Sequence, residues 1–181
     1  YNVIATNGTN CTSLSNSIIV TVNSNPVVSI SANGPVSFCD GGNVTLTSDA
    51  ANSYLWNNGA TTQSIIVSQS GTYNVIATNG TNCTSLSNSI TVTVNSNPTA
   101  NINPSGPLSF CDGDSVILSA DIADTYLWNN GATTQSITVN QTGNYNVLIT
   151  LASGCTAQSN DVVVTVNSNP TANINPSGPL S

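Results

Sequence analysis

The sequence predicts an all-β chain of tandem repeats, each repeat forming a two-sheet β-sandwich. Aligning the chain with itself gives one offset of 72 residues, from Tyr1 to Tyr73 and on to Tyr145. Within each copy, apolar and polar residues alternate in short runs bounded by Gly, Asn, Asp or Pro, which is the pattern of half-buried strands. No helical periodicity competes, because β-branched residues dominate these runs. A sandwich is the architecture that suits many short strands in a unit of this length.

The repeats divide the chain into four segments. The motif VNSNP closes each copy, so a unit ends at its proline. The first segment repeats a later one with a single difference, Ile19 in place of Thr91, and the last segment copies the start of a unit. The chain is therefore expected to be a window on a longer array. The predicted segments are 1–26, the C-terminal part of a truncated repeat; 27–98 and 99–170, two complete units; and 171–181, the start of the next repeat.

Two details refine the strand prediction, which allows about six or seven short strands per unit. Ile19, Thr91 and Val163 are equivalent positions that differ between copies, so this side of the last strand is expected to face solvent. The segment YLWNNGATTQSI, at Tyr54 and again at Tyr126, places Asn-Gly between strand residues. This pair predicts a hairpin turn with positive φ.

The charge pattern excludes several classes of partner. Lys, Arg and His are absent, the seven acidic residues are all Asp, and charged residues make up 4% of the chain, against about 25% in ordinary domains. Without cations the surface cannot neutralise phosphates, so neither nucleic acid nor an anionic membrane surface is an expected partner. No apolar run is long enough to span a bilayer, so direct membrane insertion is not expected either.

The same composition argues against catalysis and bound cofactors. No His, Lys or Glu is present to serve as a general base, so we expect no enzyme activity and no catalytic residue. Calcium is the minor alternative, because carboxylates beside a Gly turn offer oxygen ligands, although two of them are too few for a site. The carboxylates concerned are Asp112, Asp114, Asp121 and Asp124 in one unit, and Asp40 and Asp49 in the other.

Five cysteines in such a chain indicate disulfides and an extracellular setting. Two pairings fit the repeat. Within a unit, Cys39 joins Cys83 and Cys111 joins Cys155, each at a separation of 44 residues, which leaves Cys11 alone. Between units, Cys11 joins Cys39 and Cys83 joins Cys111 at a separation of 28 residues, which leaves Cys155 alone. Loop closure gives both options about 3–4 kcal/mol, and the within-unit pairing is favoured because each repeat then stabilises itself.

Several motifs together carry a resemblance to a known family. FCDG precedes the strand SVILSA, YLWNNGATTQSI and GNYNV follow, and a late GC comes before VVVTV. This order resembles the immunoglobulin-like and PKD-like repeats of large Bacteroidota surface proteins, including adhesins exported by the type IX secretion route. The resemblance implies an immunoglobulin-like sandwich with no catalytic residues. The structural residues that it implies are the pairs Cys39 with Cys83 and Cys111 with Cys155, Cys11 with its partner outside the chain, and the core tryptophans Trp56 and Trp128.

These observations predict a structural segment of a long extracellular filament, stalk or adhesin shaft at the cell surface. The expected partners are other copies of the repeat in cis and other chains in a fibre or bundle, because little charge opposes lateral packing. The alternative is a repeat module that binds surface glycans, with the rings of Trp56, Trp128, Tyr54 and Tyr126 as platforms for sugar. The core role is favoured for the tryptophans, because a sandwich with few aromatic residues needs their volume between its sheets.

Overall fold

The computed structural model describes residues 1–174 and residue 178, so the predicted segment 171–181 lies partly outside the described residues. Regular structure in the described part consists of β-strands alone, as predicted. No described helix is long and apolar enough to cross a membrane. The first eleven strands are β1 (Ile4–Thr6), β2 (Thr12–Leu14), β3 (Ile30–Ala32), β4 (Ser37–Cys39), β5 (Val44–Ser48), β6 (Ser53–Trp56), β7 (Ser64–Val67), β8 (Gly71–Tyr73), β9 (Val75–Thr78), β10 (Thr84–Leu86) and β11 (Ile90–Asn95).

The remaining nine strands repeat the set from β3 to β11 at a shift of 72 residues, and so do their pairings. The sheets β3-β5-β7, β4-β11-β8 and β6-β9-β10 each have an equivalent in the same order. The register is kept as well, since Ile30 faces Ser48 and Ile102 faces Ala120. The strands are β12 (Ile102–Pro104), β13 (Ser109–Cys111), β14 (Val116–Ala120), β15 (Thr125–Trp128), β16 (Ser136–Val139), β17 (Gly143–Tyr145), β18 (Val147–Thr150), β19 (Thr156–Gln158) and β20 (Val162–Asn167).

The strands β12–β20 form a two-layer sandwich around one apolar core. One layer is β12-β14-β16, and the other combines β13-β20-β17 with β15-β18-β19. Alternate residues of both layers point inward and pack together, among them Leu118, Trp128, Val147 and Val164. The opening strands serve both layers, because β12 pairs antiparallel with β14 whereas β13 pairs parallel with β20. This arrangement is an immunoglobulin-like β-sandwich.

The described chain divides into two compact units. The first contains Tyr1–Val36 and Val44–Val92, and the second contains Ser37–Asn43 together with the chain from Thr93 onward. The first unit buries the side chains equivalent to those of the sandwich core just described. The predicted boundaries 27–98 and 99–170 follow the sequence repeat, and they differ from this division mainly in the placement of 37–43. The buried side chains of the first unit are Ile30, Val44, Leu46, Trp56, Ile65, Val67, Val75, Ala77 and Val92.

Side chains interrupt the long strands near the end of each repeat, which yields more and shorter strands than the sequence predicts. The buried Ser87 hydroxyl accepts the Val75 N–H at 3.0 Å, and the Ser87 N–H donates to the Val75 carbonyl. Asn57 supplies its side-chain oxygen to the Asn74 N–H in the same way. Because these side chains replace ladder bonds, β8 is separated from β9 and β10 from β11 while the buried amide stays paired.

The Asn-Gly turn has the predicted positive φ, 89° at Gly59 and 87° at Gly131, but the predicted hairpin is wrong. The strands on either side of the turn lie in different sheets, because β6 pairs with β9 and β7 pairs with β5. The turn is closed locally by a bond from the Trp56 N–H to the Ala60 carbonyl at 2.9 Å. Beyond it the chain crosses to the other layer, so the turn connects the two sheets of the sandwich.

Candidate functional site: a disulfide-bonded junction

Three segments meet around one disulfide in the second unit. We call them the early loop (Cys39–Gly42), the joint (Asn95–Pro98) and the late loop (Leu151–Cys155). In the sequence repeat, the early loop and the joint belong to the copy 27–98, whereas the late loop belongs to the following copy. The junction formed by these segments is the candidate functional site.

Backbone pairing holds the early loop on the joint. β4 runs parallel to the end of β11, with Cys39 opposite Asn95. Beyond the strands, the Asp40 N–H donates to the Asn95 carbonyl at 2.8 Å. The Asn97 side-chain amide then donates to the Asp40 carbonyl at 3.0 Å. The conserved spacing of asparagines within the VNSNP motif thus serves to fasten the loop that carries Cys39.

A tight turn brings the late loop to the same place. The Leu151 N–H donates to the Cys155 carbonyl at 2.9 Å, and the Gly154 N–H donates to the Leu151 carbonyl at 2.8 Å. Gly154 has a φ of 83°, which favours glycine at this position. The turn presents Cys155, whose residue is only 1% exposed, with its sulfur 4.0 Å from the Asn95 carbonyl oxygen.

The disulfide joins Cys39 to Cys155 across 116 residues, with an S–S distance of 2.05 Å and a Cα–Cα distance of 5.6 Å. The predicted within-unit bonds, Cys39 with Cys83 and Cys111 with Cys155, are therefore wrong. Because the early loop is fastened to the joint, the late loop that reaches it belongs to the following copy.

The between-unit alternative is wrong as well, because it paired Cys11 with Cys39 and Cys83 with Cys111. Among the described residues, Cys11, Cys83 and Cys111 are free. The periodicity held a usable signal, since adding one 72-residue repeat to the 44-residue spacing gives the observed separation of 116. The entropy of loop closure changes so slowly with length that it gives no reason to omit this third option.

The aspartates proposed as minor calcium ligands hold backbone and amide groups. Asp121 accepts hydrogen bonds from the Asn101 side-chain amide at 2.7 Å and from that of Asn103 at 3.2 Å. Asp124 accepts the Ala152 N–H at 2.6 Å. In the other copy, Asp49 accepts the N–H and the hydroxyl of Ser29. Neutral donors thus take the place of cations at these carboxylates.

The other aspartates lie in the early loops. The Asp40 carboxylate accepts the Gly41 N–H at 3.1 Å, and Asp112 and Asp114 flank Gly113, whose φ is 102°. Across residues 1–174 and 178, no group of three or more His, Cys, Asp or Glu side chains is placed to hold a metal ion.

Both tryptophans lie between the sheets, each 1% exposed. The indole N–H of Trp56 donates to the Thr62 carbonyl and that of Trp128 to the Thr134 carbonyl, each at 2.8 Å. The phenol oxygen of Tyr54 accepts the Ala51 N–H at 2.8 Å, and Tyr126 makes the equivalent bond to Ala123. The tryptophan faces therefore do not form the surface platforms that the sugar-binding alternative requires.

Comparisons with known proteins add likeness of fold only. No family model matches the chain, and no curated protein matches it. Among solved structures it is similar to murine CEACAM1b, with 15% identity and a TM-score of 0.41 over 78% of this chain and 100% of that chain.

Two further structures are similar over comparable shares of the chain. For the three N-terminal domains of the bacteriophage RB49 outer capsid protein Hoc, identity is 20% and the TM-score 0.39, over 77% of this chain and 58% of that chain. For a mouse coronavirus receptor-binding domain complexed with its murine receptor, the values are 15% and 0.45, over 78% and 100%. Our fold assignment rests on the strand pairings described above.

Proposed function

We propose that the chain is a structural segment of an extracellular shaft, such as a filament, a stalk or the stem of an adhesin, and that it performs no chemistry. The observation that carries this proposal is the disulfide between Cys39 of one sequence copy and Cys155 of the next. A bond that links consecutive copies serves an array rather than an isolated binding module. The repeated strand pairing supports the same role, because each copy supplies the same load-bearing unit.

The junction is suited to transmitting force along such a shaft. Its joint has only the residues Asn95–Pro98 between β11 and the next copy, with no flexible Gly-rich linker. Hydrogen bonds to Asn95 and Asn97 fasten the early loop to this joint, and the disulfide then adds a covalent connection to the late loop. Tension on the chain therefore meets a bond that does not depend on the stability of either sandwich.

The proposed location is extracellular, because a structural disulfide persists in oxidising compartments. Attachment to the surface of a Bacteroidota cell and export by the type IX route are part of the proposal and rest on the sequence resemblance alone. Lateral association with other chains is proposed from the composition, since a surface with 4% charged residues offers little electrostatic repulsion between copies.

Arrays of increasing length test the proposed shaft. We expect each added copy of residues 99–170, inserted after Pro170, to increase the maximum dimension in small-angle X-ray scattering by about 30 Å, the approximate diameter of a compact domain of this length. A matched series in which every cysteine is replaced by serine shows how much of this reach depends on sulfur. A maximum dimension that levels off with copy number in the oxidised series would contradict the shaft role.

A further inference from the structure

We propose that Cys83 and Cys111 are half-cystines, each of which bonds to another copy of this repeat. Cys111 takes the late-loop cysteine of a copy that follows, and Cys83 takes the early-loop cysteine of a copy that precedes. Each bond would span the same 116 residues as Cys39–Cys155. The partner is thus a further repeat of this sequence, continuous with the chain. This inference stands on the geometry of the junction and does not depend on the proposed mechanical role.

Cys111 occupies a copy of the site that holds Cys39. β13 runs parallel to β20, with Cys111 opposite Asn167. The Asp112 N–H donates to the Asn167 carbonyl at 2.8 Å, the same length as the equivalent bond in the complete junction. The Asn169 amide donates to the Asp112 carbonyl at 2.8 Å. An early loop is therefore already fastened to its joint, and its exposed cysteine is free.

Cys83 occupies a copy of the site that holds Cys155. Its sulfur lies 3.9 Å from the Asn23 carbonyl oxygen, 60 residues back along the chain, and the Cys155 sulfur has the same relation to Asn95. The Asn79 side-chain amide also donates to the Ser24 carbonyl at 2.9 Å. A late loop is therefore already seated on the joint that precedes it.

The segment 1–26 independently indicates what completes this second half-junction. It has nearly the same sequence as 73–98, yet Val3 is 67% exposed whereas its equivalent Val75 is 0% exposed. In the complete copy, the strands of residues 27–72 cover that apolar face, and they also carry the early loop. The same residues placed before Tyr1 would cover Val3 and bring an early-loop cysteine towards Cys83.

The bond forms by thiol–disulfide exchange with a small disulfide oxidant such as oxidised glutathione. The Cys83 thiolate attacks one sulfur of the oxidant and expels a glutathione thiolate, which gives a mixed disulfide. The early-loop thiolate of the added copy then attacks the Cys83 sulfur, and the second glutathione leaves. The two protein thiols are oxidised, and one glutathione disulfide is reduced to two thiols that take up the two protons.

This pattern has a consequence for an array under tension. Because each bridge spans 116 residues and the repeat is 72, successive bridged spans overlap by the difference, 44 residues. The shortest covalent path through a repeat is then 44 residues long rather than 72. Fully unfolded, such a path reaches about 150 Å per repeat, against about 250 Å without the bonds. Oxidation would therefore limit extension even after every sandwich had unfolded.

The test extends the chain by one copy of residues 27–72 placed directly before Tyr1, which completes the first repeat and adds one early-loop cysteine. After refolding with oxidised and reduced glutathione, we expect the added cysteine to bond to Cys83 and Cys39 to bond to Cys155. Only Cys11 and Cys111 should then react with iodoacetamide, whereas the parent chain also labels at Cys83. Digestion before aspartate, followed by mass spectrometry without reduction, identifies the linked peptides.

A matched variant of the extended chain carries Cys83→Ser. Its added cysteine should stay free while Cys39–Cys155 forms as before, and that second bond reports that the chain has folded. Two results would overturn the proposal: a bond from the added cysteine to Cys11, at the within-unit spacing, or a free added cysteine in an extended chain whose Cys39–Cys155 bond is intact.

Discussion

Replacing Trp128 by alanine is expected to lower the free energy of unfolding of the second unit by about 3–5 kcal/mol, the cost of removing a large aromatic side chain from a packed core. Trp128 is 1% exposed and packs with Leu118, Val147 and Val164 from both layers. Its indole N–H also holds the Thr134 carbonyl at 2.8 Å, so the substitution leaves that carbonyl without its donor. Because a 72-residue sandwich has little stability in reserve, this loss approaches the whole of it.

Urea denaturation followed by far-UV circular dichroism measures the effect. The control is Leu127→Ala on the same strand, because Leu127 points to the other face and is 52% exposed. That substitution should change stability by less than about 1 kcal/mol. Equal midpoints for Trp128→Ala and the parent chain would contradict the placement of this side chain in the core.

Replacing Cys39 by serine is expected to destabilise the oxidised chain by about 2–5 kcal/mol, because the bond that is lost closes a loop of 116 residues. The chain itself offers the matched control. Cys111→Ser changes the equivalent residue of the next copy, which has the same hydrogen-bonded surroundings but a free thiol, so it should shift stability by no more than about 0.5 kcal/mol. Thermal unfolding measured by calorimetry, with and without reductant, separates the two.

Reductant should also remove the difference between the two serine variants, because it breaks the bond in every chain that has it. If Cys111→Ser proved as destabilising as Cys39→Ser, the two positions would be chemically alike, and a disulfide at Cys39 alone would be ruled out.

The fold was accessible from the sequence because strand periodicity and burial are local properties. Val92 and Val164 lie on the inward side of the last strand and are buried, whereas Thr91 and Val163 beside them are exposed. The same alternation that predicted strands also predicted which side faces the core. The 72-residue offset then carried each strand of one copy to its equivalent in the next.

The remaining features depend on contacts that the periodicity does not specify. Asn-Gly after Trp56 predicted the turn, but whether the next strand returns to the same sheet depends on packing across the sandwich. The pairing of Cys39 with Cys155 depends on a parallel strand pair and on amide bonds from Asn95 and Asn97. Spacing alone gave no reason to place an early loop against the following copy.

The account rests on one covalent link, and peptide mapping of the unreduced chain tests it most directly. Trypsin has no site in a chain without Lys or Arg, but cleavage before aspartate yields 1–39, 49–111 and 124–160 as the peptides that contain cysteine. In a Cys11→Ser variant, where Cys39 is the only thiol of the first peptide, we predict a disulfide between 1–39 and 124–160. A bond between 1–39 and 49–111 would contradict the link between consecutive repeats.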